Sequence, residues 1–185
     1  MEPEKQAAAG PLAGIKVVDV SSAVAGPWVS SWLAEQGADV IFIEKVGVPD
    51  VMRMTGAING DQSGCWVHMH RNKRGMDLDI RDDTGREILM KLVVEADVFI
   101  QNFRPGVVER LAIDYSSLST INPDLVYLSV SGFGADGPYS ARPVYDPIIQ
   151  ATSGMAEAQN GTYVKAVVAD KTTAMAGANA VLAAL

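Results

Sequence analysis

Short apolar runs alternate with helix-like segments along this chain, and this alternation restricts its fold more than any other feature. Four runs have the length and apolar content of buried strands, at residues 15–20, 38–44, 97–101 and 125–130. Four stretches with helical spacing of apolar residues lie between them, at residues 28–36, 85–95, 107–111 and 116–121. Strands that alternate with helices predict an α/β fold, in which a parallel sheet carries helices on both faces.

The other segments follow less regular patterns. They are predicted to be, in chain order, an irregular region at residues 45–75, a short strand at 76–80, a flexible loop at 131–139, a partial helix at 146–154 and a fifth strand at 164–169. The fifth predicted strand ends directly before Asp170. Parallel sheets of this kind bind ligands beyond the carboxyl ends of their strands, so the loops at those ends are the first place to look for a site.

Composition excludes several classes of function. The formal net charge of the 185 residues is −7, which argues against non-specific nucleic-acid binding. The apolar stretches fall well short of the roughly 20 residues that span a bilayer. A single cysteine, Cys65, cannot form an internal disulfide, and we interpret it as buried and inert rather than as a catalytic thiol. We expect a cytoplasmic protein with a flexible tail at residues 1–12 and no nucleic-acid or membrane partner.

Familiar nucleotide and metal motifs are missing from the sequence. The turn after the first predicted strand, SSAVAGPW, has one glycine where the dinucleotide fingerprint needs three, and Pro27 removes a backbone donor. No glycine-rich stretch ends in the Lys-Ser or Lys-Thr of a phosphate loop. His68 and His70 stand in an H-M-H pattern without the further ligands of a metal site, and two histidines give little support for a Ser-His-Asp triad. We therefore expect no metal.

A more specific pattern is spread over nearly the whole chain. Its stretches are GIKVVDVSSAVAGP, GADVIFIEKVG, HRNKRGMDLDIRDDTGREIL, ADVFIQNFRPGVVERL, NPDLVYLSVSGFGADGPY, YDPIIQATSGM and VADKTTAMAGANAVLAAL. In this order they resemble the class III CoA-transferases, the CaiB/BaiF family. The resemblance implies that residues 13–185 form a Rossmann-like CoA-binding domain, truncated before a second domain, and that the full-length protein is an interlocked homodimer. The final VLAAL has no helix stop signal, which also predicts further chain.

The resemblance also implies a reaction. Members of the family move CoA from an acyl-CoA to a carboxylic acid, and their nucleophile is an aspartate at the position of Asp170. Its carboxylate would attack the thioester, form a mixed anhydride and then carry CoA as an aspartyl thioester. We expect its pKa to stay low, so that it is ionised at neutral pH. Without the resemblance, Asp170 is predicted to be a helix N-cap that accepts from an amide near Thr173.

The family's coenzyme contacts can be carried over where its motifs match this sequence. The positions are Val24, Ala25, Lys45, Leu78, Arg81, Asn102, Phe103, Arg104, Arg110, Tyr145 and Asp146. Two of them depart from the family. Many members have arginine at the position of Lys45, and arginine can bind phosphate through two hydrogen bonds where lysine cannot. Some members have glutamine at the position of Val24, near the reaction centre, so the acyl specificity of this protein should differ. The basic run Arg71, Lys73 and Arg74 fits either the coenzyme mouth or a solvated turn.

Two alternative functions remain open. Racemases of the same family act on α-methylacyl-CoA and carry a histidine where this chain has Tyr145. A phenol is a poor base near neutral pH, so the residue favours transfer over racemisation. A non-catalytic CoA- or nucleotide-binding module is the other alternative. We expect residues 1–185 by themselves to be inactive, because a second domain and a second subunit complete the sites of the family.

Overall fold

The computed structural model describes residues 10–60 and 62–185 of the chain. The predicted flexible tail therefore lies almost wholly outside the described residues. Gly10, Pro11 and Leu12 are its described part, and the amide of Leu12 donates to the carbonyl of Gln36 at 3.0 Å. Leu12 is buried and joins one of the cores.

Five parallel strands form the central sheet, which confirms the predicted α/β fold. They are β1 (Lys16–Asp19), β2 (Asp39–Glu44), β5 (Arg74–Asp77), β6 (Val98–Gln101) and β7 (Val126–Ser129). Their order across the sheet is β5-β2-β1-β6-β7, with β1 in the centre. The registers pair Val17 with Val40 of β2 and with Val98 of β6. A separate hairpin joins β3 (Ile58–Asn59) to β4 (Gln62–Ser63).

Helices cover both faces of this sheet. They are α1 (Ala25–Glu35), α2 (Gly64–His70), α3 (Asp83–Val94), α4 (Val107–Arg110), α5 (Tyr115–Ile121), α6 (Asp146–Thr152), α7 (Met155–Ala158) and α8 (Val168–Ala184). One core packs α1 and α8 against the sheet through residues such as Leu33 and Val181. The other packs α3 and α5 through Leu89 and Leu118. No helix among the described residues is long and apolar enough to cross a membrane.

Helix starts follow the local chemistry of the sequence. The carboxylate of Asp82 accepts from the amide of Gly85 at 2.6 Å, so Asp82 is the N-cap of α3. Asp114 caps α5 in the same way. Helix α1 begins three residues before the predicted start, because Pro27 fits the first turn, where no amide donor is needed.

Residues 45–75 were expected to be irregular, and this prediction is wrong. The segment holds a short 3₁₀ helix at Val51–Met54, the hairpin, helix α2 and the first residues of β5. Helix α2 has a regular start, since the hydroxyl of Ser63 accepts from the amide of Cys65 at 3.1 Å. Cys65 is partly buried and packs against a small core formed with Met52 and Met69. Apolar residues in this segment lack a clear period, so the sequence pattern did not predict this small third core.

Candidate functional site

The sheet brings the loops that follow its strands to one edge. All five strands are parallel, so the turn after β1, Lys45 after β2, Leu78 and Arg81 after β5, and Asn102 after β6 share this edge. Neighbouring strands lie about 4.8 Å apart, so the positions follow one another across four adjacent strands. The structure therefore arranges the predicted coenzyme residues of four separate motifs in one row.

Hydrogen bonds from two neighbouring loops fix the turn between β1 and α1. The side-chain amide of Asn102 binds both backbone groups of Ser22, at 2.9 Å to the nitrogen and 2.7 Å to the oxygen. The Asp50 carboxylate accepts from the amide of Ala23 at 2.8 Å. Ala23 has a φ of 62°, a left-handed conformation that is uncommon for alanine. Two anchors from outside the turn hold the backbone in this conformation.

Val24 and Ala25 complete the turn and begin α1. Both are buried, and Val24 packs beside Met52 in the small third core. The next residue, Gly26, must be small, because a Cβ there would overlap the side chain of Ser21. The side chains of Val24 and Ala25 thus point into the protein rather than into solvent.

A buried lysine lies beneath this turn. The Lys73 side chain is 1% exposed, its Nζ donates to the carbonyl of Pro27 at 2.6 Å, and it lies 3.7 Å from Oδ2 of the fully buried Asp19. Asp19 also accepts from the amide of Ser21 at 2.9 Å and from the hydroxyls of Ser21 and Ser30. Burial lowers the pKa of Lys73 to about 8, against the opposing charge of Asp19.

Sequence reasoning missed this lysine. The expectation of a coenzyme mouth or a solvated turn is wrong for Lys73, whereas Arg71 and Arg74 are exposed and pair with Glu35 and Asp39. Nothing in the run of three basic residues distinguishes the middle one. Its burial depends on where β5 lies in the sheet, which the local pattern does not contain.

Asp170 lies in the first turn of α8, and the backbone there is held by Asp146. Oδ1 of the buried Asp146 accepts from the amide of Ala169 at 2.6 Å and from that of Asp170 at 3.4 Å. The N-cap residue of α8 is Val167, so the predicted N-cap role of Asp170 is wrong. Asp146 supplies from another helix the acceptor that an N-cap side chain would have supplied.

Gln150 extends this support along the segment before α8. It donates to the second oxygen of Asp146 at 2.5 Å, and its own carbonyl accepts from the amide of Val164 at 2.8 Å. The side-chain nitrogen of Gln150 also donates to the carbonyl of Ala166 at 3.4 Å. The predicted fifth strand at residues 164–169 is therefore wrong: the backbone bonds to a glutamine side chain instead of to β7, and α8 begins at Val168.

The carboxyl group of Asp170 is partly buried and faces a second negative charge. Burial, and to a smaller extent Asp146, raise the pKa of Asp170 to about 6. The expectation of a low pKa is wrong. The group is still mainly ionised at pH 7, and its position in the first turn of a helix suits an anion.

Helix α8 places Asp170 near the start of α1. The neighbouring Lys171 has its Nζ 5.4 Å from the ring centroid of Trp28, in the first turns of α1. Farther along, a Cβ at Gly177 would lie 3.1 Å from Val29 and 3.3 Å from Leu128, so the small residue permits close packing on α1 and β7. Because α1 follows the carboxyl end of β1, the first turn of α8 stands at the same edge of the sheet.

Charged residues are available at this edge. Arg81 is exposed and pairs with Asp79, whose pKa is lowered by the hydrogen bonds from Arg81 and, to a smaller extent, by the charge of Lys45. Arg104 and Arg110 are both exposed, and the guanidinium of Arg110 lies back over the turn at Gly106. Arg104 and Arg110 thus flank one turn.

The remaining predicted contacts differ in exposure. Leu78 is buried and Phe103 partly buried, and both pack in the core formed with α3. Tyr145 is 73% exposed. Asp146 has both carboxylate oxygens engaged by protein donors, so its described contacts position α8. Coenzyme binding at each of these positions stays a prediction.

A groove of about 590 Å³ lies away from this row, between the hairpin and α2. None of the predicted coenzyme residues lines it within the described ranges. The two histidines nearby are engaged in packing: the ring of His68 meets Trp28 edge-on, and that of His70 stacks on Trp66 at 3.7 Å between centroids. Burial lowers the pKa of His70 to about 3, so its ring stays neutral.

Comparison with known proteins identifies the family. The sequence model of "CoA-transferase family III" matches residues 12–185, which is almost the entire chain. The chain belongs to CoA-transferase family III. The motifs that suggested the class III CoA-transferases are thereby confirmed as the family's own.

Curated relatives in the family III group are CoA-transferases with different acids. Acetyl-CoA:oxalate CoA-transferase of Acetobacter aceti is 42% identical over 146 residues, covering 79% of this chain and 38% of the relative. Succinyl-CoA:glutarate CoA-transferase of Homo sapiens is 33% identical, covering 95% of this chain and 41% of the relative. The chain therefore spans about two fifths of the length of these family III enzymes.

Solved structures of the family have the same fold. The crystal structure of a CaiB/BaiF family protein from Brucella suis matches with a TM-score of 0.89 at 36% identity, over 95% of this chain and 49% of that one. The Rv3272 protein of Mycobacterium tuberculosis matches with a TM-score of 0.85 at 29% identity, again over 95% of this chain. The sheet and helices described above are thus those of family III proteins.

Proposed function

We propose that this chain is the Rossmann-like CoA-binding part of an acyl-CoA:carboxylate CoA-transferase, with Asp170 as its nucleophile. The observation that carries the proposal is the partly buried carboxylate of Asp170, held at the carboxyl edge of the sheet by backbone bonds to Asp146. A carboxylate at this place lies at the same edge of the sheet as the row of strand-end loops that would hold a coenzyme. CoA-transferase relatives with several different acids support the reaction type.

The proposed chemistry needs one ionised carboxylate on the protein and no nucleoside triphosphate, because one thioester is exchanged for another. Asp170 attacks the thioester carbonyl of the acyl-CoA, and the C–S bond breaks to release CoA thiolate and leave a mixed anhydride. The thiolate then attacks the aspartyl carbonyl, which releases the first acid and leaves CoA on Asp170 as a thioester. The acceptor acid repeats these steps in reverse order, so one thioester replaces another and the carboxylate is restored.

The environment of Asp170 suits this sequence of steps. At neutral pH the group is mainly ionised and can attack, yet its raised pKa makes it a less stable anion than an exposed aspartate. The negative charge of Asp146 repels that of ionised Asp170. Conversion of Asp170 to a neutral anhydride or thioester removes this repulsion and is therefore favoured. Asp146 thus both positions the nucleophile and raises its energy.

The row of strand-end loops would hold CoA across the sheet edge. Arg104 and Arg110 are exposed donors for its phosphates, and Lys45 and Arg81 offer further positive charge two and three strands away from β6. The turn at Val24 and Ala25 lies between these two groups. We propose that the pantetheine arm passes this turn on its way to Asp170.

A transfer assay with the full-length protein tests the proposal. CoA thioesters are screened against acceptor acids, and new thioesters are detected by mass spectrometry. Asp170→Asn should reduce transfer by at least about a thousandfold while CoA still binds, since the carboxamide cannot form the anhydride. Asp124→Asn, which changes an exposed aspartate elsewhere, should leave the rate unchanged.

Two other results would replace the proposal. Loss of α-deuterium from an α-methylacyl-CoA without exchange of CoA would select the racemase. Binding of CoA that survives Asp170→Asn, with no turnover of any thioester by the wild-type protein, would select a binding module.

A further inference from the structure

The buried pair of Lys73 and Asp19 holds both ends of the turn that leads into α1. On the near side, Asp19 binds the amide and the hydroxyl of Ser21. On the far side, Lys73 donates to the carbonyl of Pro27 at 2.6 Å. Val24 and Ala25, the proposed coenzyme contacts, lie between these two anchors.

The position of Lys73 in the fold explains how it reaches this turn. It precedes β5, and β2 separates that strand from β1, so the side chain must cross about 10 Å of sheet. It does so over the ring of Phe42 on β2, with Nζ 5.4 Å from the ring centroid. The long alkyl chain is buried, and the ammonium group ends beneath the start of α1.

We propose that Lys73 is a positioning residue for coenzyme binding, which sets the place of the Val24–Ala25 turn through its hydrogen bond to Pro27 and its ion pair with Asp19. The inference rests on the proposed function, because it assumes that this turn contacts CoA. Trp28, next to Pro27, is the residue against which Lys171 packs. A displaced Pro27 would therefore change the spacing between the turn and the first turn of α8 as well.

Charge balance alone is the competing explanation for Lys73. A buried aspartate without its partner is destabilising, so a lysine here could serve only to neutralise Asp19. A purely structural role of this kind predicts that coenzyme affinity follows stability. The positioning role predicts that affinity depends on the donor to Pro27 even when the charges balance.

The test uses the full-length protein and three variants. Lys73→Met removes the charge and the donor. The double variant Asp19→Asn/Lys73→Met removes both charges and keeps one side-chain oxygen that can accept from Ser21. Arg74→Met, which breaks an exposed ion pair in the next residue, is the matched control. The dissociation constant of CoA, the melting temperature, and KM and kcat are measured for each.

We expect Lys73→Met to lower the melting temperature and to weaken CoA binding at least about tenfold. The double variant should have a melting temperature close to that of the wild type, yet it should still bind CoA about tenfold more weakly than the wild type. The loss should appear in KM more than in kcat. Hydrogen exchange of the amides between Ser21 and Trp28 should be faster than in the wild type. Arg74→Met should match the wild type.

A double variant with wild-type affinity would overturn the positioning role and leave charge balance alone. So would a double variant that fails to fold, because Lys73 would then be required for folding itself. A wild-type protein that binds no CoA would overturn the proposed function, and this inference with it. Binding by the wild type that Lys73→Met leaves unchanged would overturn only the inference.

Discussion

The carboxylate of Asp146 caps the helix that carries Asp170, with Oδ1 3.4 Å from the Asp170 amide nitrogen and 2.6 Å from that of the preceding residue. One aspartate thus fixes the backbone of another and adds a like charge near it. The arrangement couples the position of the nucleophile to its pKa, and both can be measured.

The pH dependence of transfer should report this coupling. Because Asp170 must be ionised to attack and its pKa is about 6, kcat/KM of the full-length protein should fall as the pH drops through about 6. Asp146→Asn removes the like charge, so the acid limb should move to lower pH, by less than half of the full shift because burial is the larger cause. Asp124→Asn should not move it. An acid limb that stays in place in Asp146→Asn would show that the two carboxyl groups do not interact.

The same raised pKa predicts an effect on stability. The pKa of the Asp170 carboxyl group is higher in the folded than in the unfolded protein. Its contribution to the free energy of unfolding therefore falls as the pH rises from about 4 to about 6, and the fall is nearly complete at pH 7. The full shift would correspond to roughly 3 kcal/mol, which solvent screening of this partly exposed group reduces to about 1 kcal/mol. Asp170→Asn should therefore stabilise the protein by about 1 kcal/mol at pH 7.

Thermal unfolding of both proteins at two pH values checks this sign. The melting temperature of Asp170→Asn should exceed that of the wild type at pH 7. The difference should vanish at about pH 3 and below, where the wild-type carboxyl group is largely protonated in both the folded and the unfolded protein. A variant that is less stable than the wild type at pH 7 would contradict the raised pKa.

The two exposed arginines near the end of β6 should bind phosphate. Arg104→Gln and Arg110→Gln should each weaken CoA binding about tenfold, and the loss should shrink at high salt, where screening weakens the wild type. Arg86→Gln is a suitable control, because this arginine pairs with Asp83 within α3. Calorimetric titration with CoA gives the constants. Equal affinities for all three variants would exclude a phosphate site at this turn.

The close packing within the first turn gives a structural prediction. Gly26→Ala places a methyl group on the side chain of Ser21, so it should destabilise the protein by about 2 kcal/mol and weaken CoA binding. Gly75→Ala, in the edge strand β5, adds a methyl group in open space and serves as the control. Chemical denaturation of both variants measures the difference. Similar free energies of unfolding for the two would contradict the described contact.

The sequence predicted those parts of the fold in which local pattern and tertiary environment agree. The four runs assigned as strands became β1, β2, β6 and β7, because strands of a parallel sheet that helices cover on both faces are largely apolar. The edge strand β7 is only partly buried, yet its run is still mostly apolar. The cap of α3 is also a local contact, since Asp82 accepts from an amide three residues along the chain. The alternation of strands and helices also predicted that the loops after the strands would meet at one edge of the sheet.

The missed features all depend on partners that are distant in the chain. Lys73 is buried, and its ammonium group reaches from the start of β5 across β2 to Asp19 on β1. Asp146 acts on a helix 24 residues later. The run at residues 164–169 has the composition of a strand, yet Gln150 takes its backbone groups. Periodicity describes one element at a time, so it could not show these contacts.

Trapping of the acylated carboxylate tests the central claim most directly. The full-length protein is incubated with its acyl-CoA substrate and hydroxylamine, and the peptide that contains Asp170 is analysed by mass spectrometry. Attack of hydroxylamine on an aspartyl anhydride or thioester should convert Asp170 to a hydroxamate and inactivate the enzyme, at a rate that depends on acyl-CoA. An unmodified Asp170 in a protein that continues to transfer CoA would contradict the account.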